Sequence, residues 1–158
     1  MRVIPATTEH LRGICDIFYE NCTVLGLPNP AATRENIERG EVFVAEDEGG
    51  EVIGFVEFHV RKDGRATLYH IGVKRSCRRK GIGKELVKRL IQECERRGCY
   101  EIRLLCPVWS GAEKFYESVG FECVGEEVKT TKKGAVRKFT VWRYRLSSGK
   151  VKPLFSQF

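Results

Sequence analysis

The chain has 158 residues, close to the commonest size of a single domain, so a second enzymatic domain is not expected. Hydrophobic residues make up 42% and charged residues 31%. The apolar ones fall in periodic blocks, so the composition excludes a disordered chain. A net charge of +7 and a pI near 9.1 favour an anionic partner, whether a phosphorylated cofactor, nucleic acid or an acidic peptide.

No apolar run approaches the roughly 20 residues of a membrane helix, so no membrane partner is expected. Met1 leads straight into a strand-like run with no leader, and the expectation is a cytoplasmic protein. Arg2 to Ala6 reads as that strand, and Thr7 or Thr8 can cap a helix carrying Leu11, Ile14, Cys15, Phe18 and Cys22 at the 3.6 period. Gly26-Leu-Pro-Asn-Pro30 reads as a loop, and Thr33 to Arg39 as a short helix stopped by Gly40. Val42 to Glu46, Val52 to Arg61 and Arg65 to Val73 form an antiparallel meander, with turns at Glu48-Gly-Gly50 and Lys62-Asp63-Gly64.

A long helix from about Gly81 to Arg97 follows, with Ile82, Leu86, Val87, Leu90, Ile91 and Cys94 on one face. Next come a strand from Tyr100 to Cys106, a helix from Gly111 to Val119, and strands near Phe121 to Thr130 and Val136 to Leu146. The expected fold is α/β, a mixed and mostly antiparallel sheet of about seven strands flanked by about four helices. Residues 1–147 form the expected domain and 148–158 a tail. Its two Phe and one Leu want burial, which leaves a homodimer open.

The seven Cys show no C-x-x-C and no His at metal-ligand spacing, so they read as reduced core thiols, with no metal expected. The sharpest local signal is Arg78-Arg79-Lys80-Gly81-Ile82-Gly83-Lys84, which runs from a strand into a helix. A helix start exposes unpaired N–H groups and the positive end of the macrodipole, so a pyrophosphate suits it. No G-x-x-x-x-G-K-[ST] is present, and Leu86 stands where a dinucleotide fingerprint needs its third Gly.

At this point the sequence resembles the GNAT N-acetyltransferase superfamily. Arg78-x-x-Gly81-x-Gly83 is similar to its acetyl-CoA signature [QR]-x-x-G-x-[GA], and Ala112-Glu-Lys-Phe115-Tyr116-Glu-Ser-Val-Gly120-Phe121 resembles its A-x-x-[FL]-Y-x-x-x-G-F. The resemblance covers about residues 1 to 147 and implies a GNAT-type sheet splayed between its fourth and fifth strands, with acetyl-CoA as co-substrate. It further implies that backbone amides from Arg79 through Lys84 hold the pyrophosphate. The main chain along Ile71, Gly72 and Val73 would take the pantetheine arm like an added strand, bonding through Ile71 and Val73. Trp109 stands where members often carry Asn, which leaves it to wall the acyl site or join the core.

The resemblance implies direct attack of an amine on the thioester, and Tyr116 matches the family's acid. An alkyl ammonium costs roughly 4 to 5 kcal/mol to neutralise at pH 7, so a base is needed; an α-amine, with pKa about 7.7 to 8.0, needs less help. A two-residue turn at Asp63-Gly64 would set Glu57 opposite His70, a carboxylate beside an imidazole able to take that proton; a three-residue turn would set Glu57 opposite Tyr69. His59 reads as a partly exposed strand residue, His10 as solvated, and Cys77 as no nucleophile. The expected partners are acetyl-CoA and an amine, as a small molecule or a peptide, with a slight preference for a protein N-terminus. The rivals are an acyl-CoA sensor without turnover and, through Lys129, Lys132, Lys133, Arg137 and Lys138, a nucleic-acid module, the less expected of the two.

Overall fold

The computed structural model describes residues 1–146; the expected tail at 148–158 lies outside them. β1 (Arg2–Pro5) leads through a 3₁₀ turn at Thr8–His10 into α1 (Leu11–Glu20), α2 (Cys22–Leu25) and α3 (Pro30–Glu38). The meander is β2 (Val42–Glu46), β3 (Val52–Val60) and β4 (Arg65–Val73). α4 (Ile82–Arg96), β5 (Glu101–Pro107), α5 (Glu113–Ser118), β6 (Glu122–Thr130) and β7 (Val136–Arg145) follow. Among the described residues these strands form one seven-stranded sheet ordered β1-β2-β3-β4-β5-β7-β6, antiparallel except where β4 meets β5. The expected mixed α/β fold is the observed one.

Each face of the sheet is covered by one apolar layer. Leu86, Val87, Leu90 and Cys94 of α4 pack on Val56, Phe58, Leu68 and Ile102, while Ile14, Ile17 and Phe18 of α1 pack on Val44 and Phe55 of the other face. A buried Leu or Val contributes about 1.5–3 kcal/mol, against a few tenths for a surface helix pair (about 0.2–0.5 kcal/mol). Packing therefore fixes these helices.

Three local expectations are corrected. α1 stops at Glu20, because the Asn21 side chain donates to the Ile17 carbonyl at 2.8 Å and competes with the helical bond, so Cys22 opens a separate turn. α3 starts at Pro30 rather than Thr33, since the Asn29 side chain accepts from the Ala32 N–H at 3.2 Å and Pro30 takes the first helical position. The cysteines are free, yet only Cys94, Cys99 and Cys106 are buried; Cys22 and Cys123 are exposed, and Cys15 and Cys77 lie between.

The β3–β4 hairpin places the site. Val60 pairs with Ala66, and the Arg61 N–H donates to the Arg65 carbonyl at 2.7 Å, so the loop is the three-residue Lys62-Asp63-Gly64. A regular ladder from that turn would set Glu57 against Tyr69. Instead the register slips between Glu57 and Phe58, leaving Tyr69 as the extra residue of a bulge and Glu57 opposite His70. The slip also reverses which residues face which layer. Ala66 and Leu68 lie in the α4 layer before the bulge, and Ile71 and Val73 pack against it after; His70 therefore turns to the opposite side, against Phe18 at 5.0 Å.

β4 and β5 part just before the bulge. They pair only from Arg65 to Thr67, against Glu101 to Arg103, while β5 stays with β7 as far as Pro107. The Lys74 N–H donates to Ile53 of β3 at 2.8 Å. By strand alternation Gly72 also faces β3, and the N–H and C=O groups of Ile71 and Val73 face the gap.

Candidate active site

The gap between β4 and β5 opens into a cleft of about 780 Å³. One wall is His70, Ile71, Gly72 and Val73; the other is Leu105, Cys106 and Pro107 with Tyr116 of α5, and the loop into α4 closes one end. Of the expected pyrophosphate loop, Arg78, Arg79, Gly81, Ile82, Gly83 and Lys84 line the cleft and Lys80 does not.

That loop turns twice through left-handed backbone. Arg79 holds φ 63° and Gly81 φ 80°, both in the left-handed region that costs a residue with a Cβ about 1–2 kcal/mol. A Cβ on Gly81 would meet nothing within 4 Å, so the space beside it is open. At Gly83 the missing side chain serves packing. A Cβ there would come within 3.0 Å of the Phe115 ring, so this glycine lets α5 pack on α4. Arg78 is a tie as well as a lining residue: its guanidinium donates to the side-chain Oδ1 of Asn21, pinning the loop to the α1–α2 junction.

On the opposite wall His70 is joined to a buried network. Its Nδ1 lies 2.8 Å from Oε1 of Glu57, whose Oε2 accepts from Asn36 of α3 at 2.7 Å, with Thr33 adding a further bond. Burial pushes the Glu57 carboxyl up, but the bonds from His70, Asn36 and Thr33 outweigh it and hold the group below the usual carboxylate range. A carboxylate can only accept, so Nδ1 carries the proton and Nε2 the lone pair. Glu57 itself does not line the cleft. Asn36 and Thr33 escaped the sequence reading as site residues, although the expected helix from Thr33 to Arg39 already set them three residues apart on one face.

Tyr116 is 8% exposed, packed against Phe115, Phe121 and Trp142, and reaches the cleft. Burial, with the nearby Cys106, pushes its hydroxyl well above the ordinary phenol range, so it stays protonated and can donate. Burial also pushes the Cys106 thiol up, against a nucleophilic role.

The other expected residues lie elsewhere. His10 is not solvated: its Nδ1 accepts from the Thr7 N–H at 2.9 Å and its Nε2 meets Glu46 at 3.1 Å. His59 is partly exposed as expected, and is paired through Nδ1 with buried Glu41 at 3.0 Å. Trp109 is 62% exposed, outside the core, and lines a second cavity beside the first. Among the described residues no cluster of His, Cys, Asp or Glu is placed to hold a metal, and no helix is long and apolar enough to cross a membrane.

A family model described as the acetyltransferase (GNAT) family matches residues 11–121. The chain belongs to the GNAT acetyltransferase family. Its fold is similar to a ribosomal-protein-alanine N-acetyltransferase from Brucella melitensis, at 22% identity and TM-score 0.77 over 92% of this chain and 100% of that one. It is also similar to a phosphinothricin acetyltransferase from Sinorhizobium meliloti, solved with acetyl-CoA, at 24% identity and TM-score 0.79 over 96% and 91%. A third structure, Ard1 from Thermoplasma volcanium, shares 17% identity at TM-score 0.79 over 92% and 97%. No curated protein sequence matches the chain. As a GNAT acetyltransferase the enzyme draws on acetyl-CoA, and the cleft fits that co-substrate. It offers an open strand edge for an amide-bearing arm and, at its end, a glycine cradle before a helix start ringed by Arg79 and Lys84.

Proposed function

We propose that the enzyme transfers the acetyl group of acetyl-CoA to a primary amine by direct attack, with His70 as the proton acceptor and Tyr116 as the proton donor. The observation that carries this reading is a single cleft with a histidine lone pair on one wall and a protonated, buried tyrosine on the other. Acetyl-CoA supplies an activated carbonyl and a thiolate leaving group. The main chain of Ile71 and Val73 holds its pantetheine arm across Gly72, and the N–H groups of Arg79, Gly81, Ile82, Gly83 and Lys84, which line the cleft, hold its pyrophosphate. Lys80 adds only field from outside the cleft.

His70 Nε2 takes a proton from the amine, directly or through water. Glu57 is a positioning residue: it fixes the ring and tautomer through Nδ1 and stabilises the imidazolium that forms, while Asn36 and Thr33 hold Glu57. Tyr116 delivers a proton toward the departing sulfur.

The test is thiol release from acetyl-CoA with a panel of peptides, polyamines, amino acids and aminoglycosides. Tyr116→Phe is expected to lower kcat about 10–100-fold with the KM for acetyl-CoA within about twofold. Unchanged kcat would remove Tyr116 from the reaction, and acetyl-CoA binding without thiol release for every amine would favour the sensor reading.

A further inference from the structure

A second cavity of about 1010 Å³ adjoins the cleft and shares Val24, Leu25, Pro107 and Phe139 with it. The proton chemistry uses none of its remaining walls. On one side stands Leu27, 74% exposed; on the other are Trp109 and Val136, exposed by 62% and 63%. Large apolar side chains left this open around one concavity mark a surface that meets a ligand. The walls are fixed, since the Val108 N–H donates to the Lys138 carbonyl at 3.2 Å and so ties the Trp109 turn to β7.

Charge supplies a second, independent observation. Arg137 and Lys138 line this cavity, and no Asp or Glu lines it among the described residues. Across the ladder Arg137 pairs with Lys129, so two like charges stand directly opposite each other on neighbouring strands. Lys129 is held over the Phe139 ring at 5.9 Å, and like charges set opposite each other on the two strands repel, a repulsion that an anionic ligand would relieve.

We propose that the acceptor is the N-terminal segment of a polypeptide whose first side chain is apolar and whose next residues carry carboxylates, the former on Trp109 and the latter on Arg137 and Lys138. This rests on the acetyl-transfer reading above. The two cavities share four lining residues, so the apolar surface opens onto the cleft in which the amine reacts. That suits an α-amine, whose side chain is borne on the same carbon. The ε-amine of a lysine sits at the end of a flexible four-carbon stem and would set its neighbours far from Trp109. An α-amine is also the weaker base of the two, within reach of a histidine acceptor.

The test uses the intact protein and thiol release with the amides of Leu-Asp-Glu-Ala, Gly-Asp-Glu-Ala and Leu-Lys-Lys-Ala, an N-acetylated Leu-Lys-Glu-Ala, and spermidine. Leu-Asp-Glu-Ala is expected to exceed each of the others by about tenfold in kcat/KM. Trp109→Ala should raise its KM about tenfold with kcat within about twofold, closing the gap between Leu-first and Gly-first peptides. Charge reversal by R137E with K138E should move the preference to Leu-Lys-Lys-Ala. Equal rates across the peptides, or faster turnover of spermidine or the N-acetylated peptide, would overturn the proposal while leaving acetyl transfer intact. If no amine turns over although acetyl-CoA binds, the transfer reading fails separately. Calorimetric binding of the same peptides to the CoA-loaded protein then decides: failure of Trp109→Ala to weaken the Leu-first peptide would overturn the surface assignment.

Discussion

Glu57–His70 and Glu41–His59 are two nearly identical pairs drawing on the same strand. Glu57 and His59 both belong to β3, each glutamate is buried, and each histidine meets its carboxylate through Nδ1, at 2.8 and 3.0 Å. What differs is the surroundings. Glu41 also accepts from the Val60 N–H at 2.7 Å and lies 3.9 Å from Arg97, which in turn bonds Glu93 of α4 at 2.8 Å. The His59 ring stacks on Tyr69 with centroids 6.4 Å apart. That pair is a clasp joining β3 to α4 through arginine. His70 lines the gap where β4 leaves β5, and its pair is backed by the amide and hydroxyl of α3 and by the edge contact with Phe18. A His–Glu pair alone is therefore no catalytic signature; the proposal for His70 rests on its place at the splay.

The comparison breaks most readily at the histidines. His70→Gln is expected to cost about 10²–10³-fold in kcat, while His59→Gln stays within about twofold, both measured by thiol release at saturating acetyl-CoA. At the glutamates, Glu57→Gln removes the anion facing Nδ1–H. With an acceptor amine already neutral at pH 6, kcat should fall about tenfold. Glu41→Gln should leave kcat in place and instead lower the unfolding free energy by about 1–3 kcal/mol, read by urea denaturation.

The arginine side of the clasp gives the smallest effect. Bonding to Arg96 and then Arg97 outweighs burial and holds the Glu93 carboxyl down at about 2. A depressed carboxyl stabilises the fold above its unfolded pKa of about 4.3, and that contribution drains away as pH falls toward about 2. Glu93→Gln should therefore cost about 1–2 kcal/mol at pH 7, allowing for the solvated arginines, and almost none of that at pH 2. A loss that persists unchanged at pH 2 would place the effect in packing instead.

Most of the frame was legible because its signals are local. The α4 stripe from Leu86 to Cys94, the glycine turns of the meander and the Arg78-to-Gly83 loop each depend on a few neighbouring residues. The site was legible in part for the wrong reason. A two-residue turn at Asp63-Gly64 gives Glu57 the right partner, but the real turn has three residues and the bulge at Tyr69 restores the pairing. No glycine marks that bulge; it sits beside the parting of β4 and β5, a tertiary feature that no local spacing encodes. Asn36 and His10 were missed for the same reason, since each owes its role to a carboxylate far along the chain.

The most direct measurement of the central assignment is the pH dependence of kcat/KM for the wild type and His70→Gln, with an acceptor amine already neutral at pH 6. The wild type should show an acid limb that titrates a single group, and His70→Gln should be slower by about 10²-fold and flat across that range. A His70→Gln enzyme that keeps the limb and a rate within about threefold of wild type would contradict it.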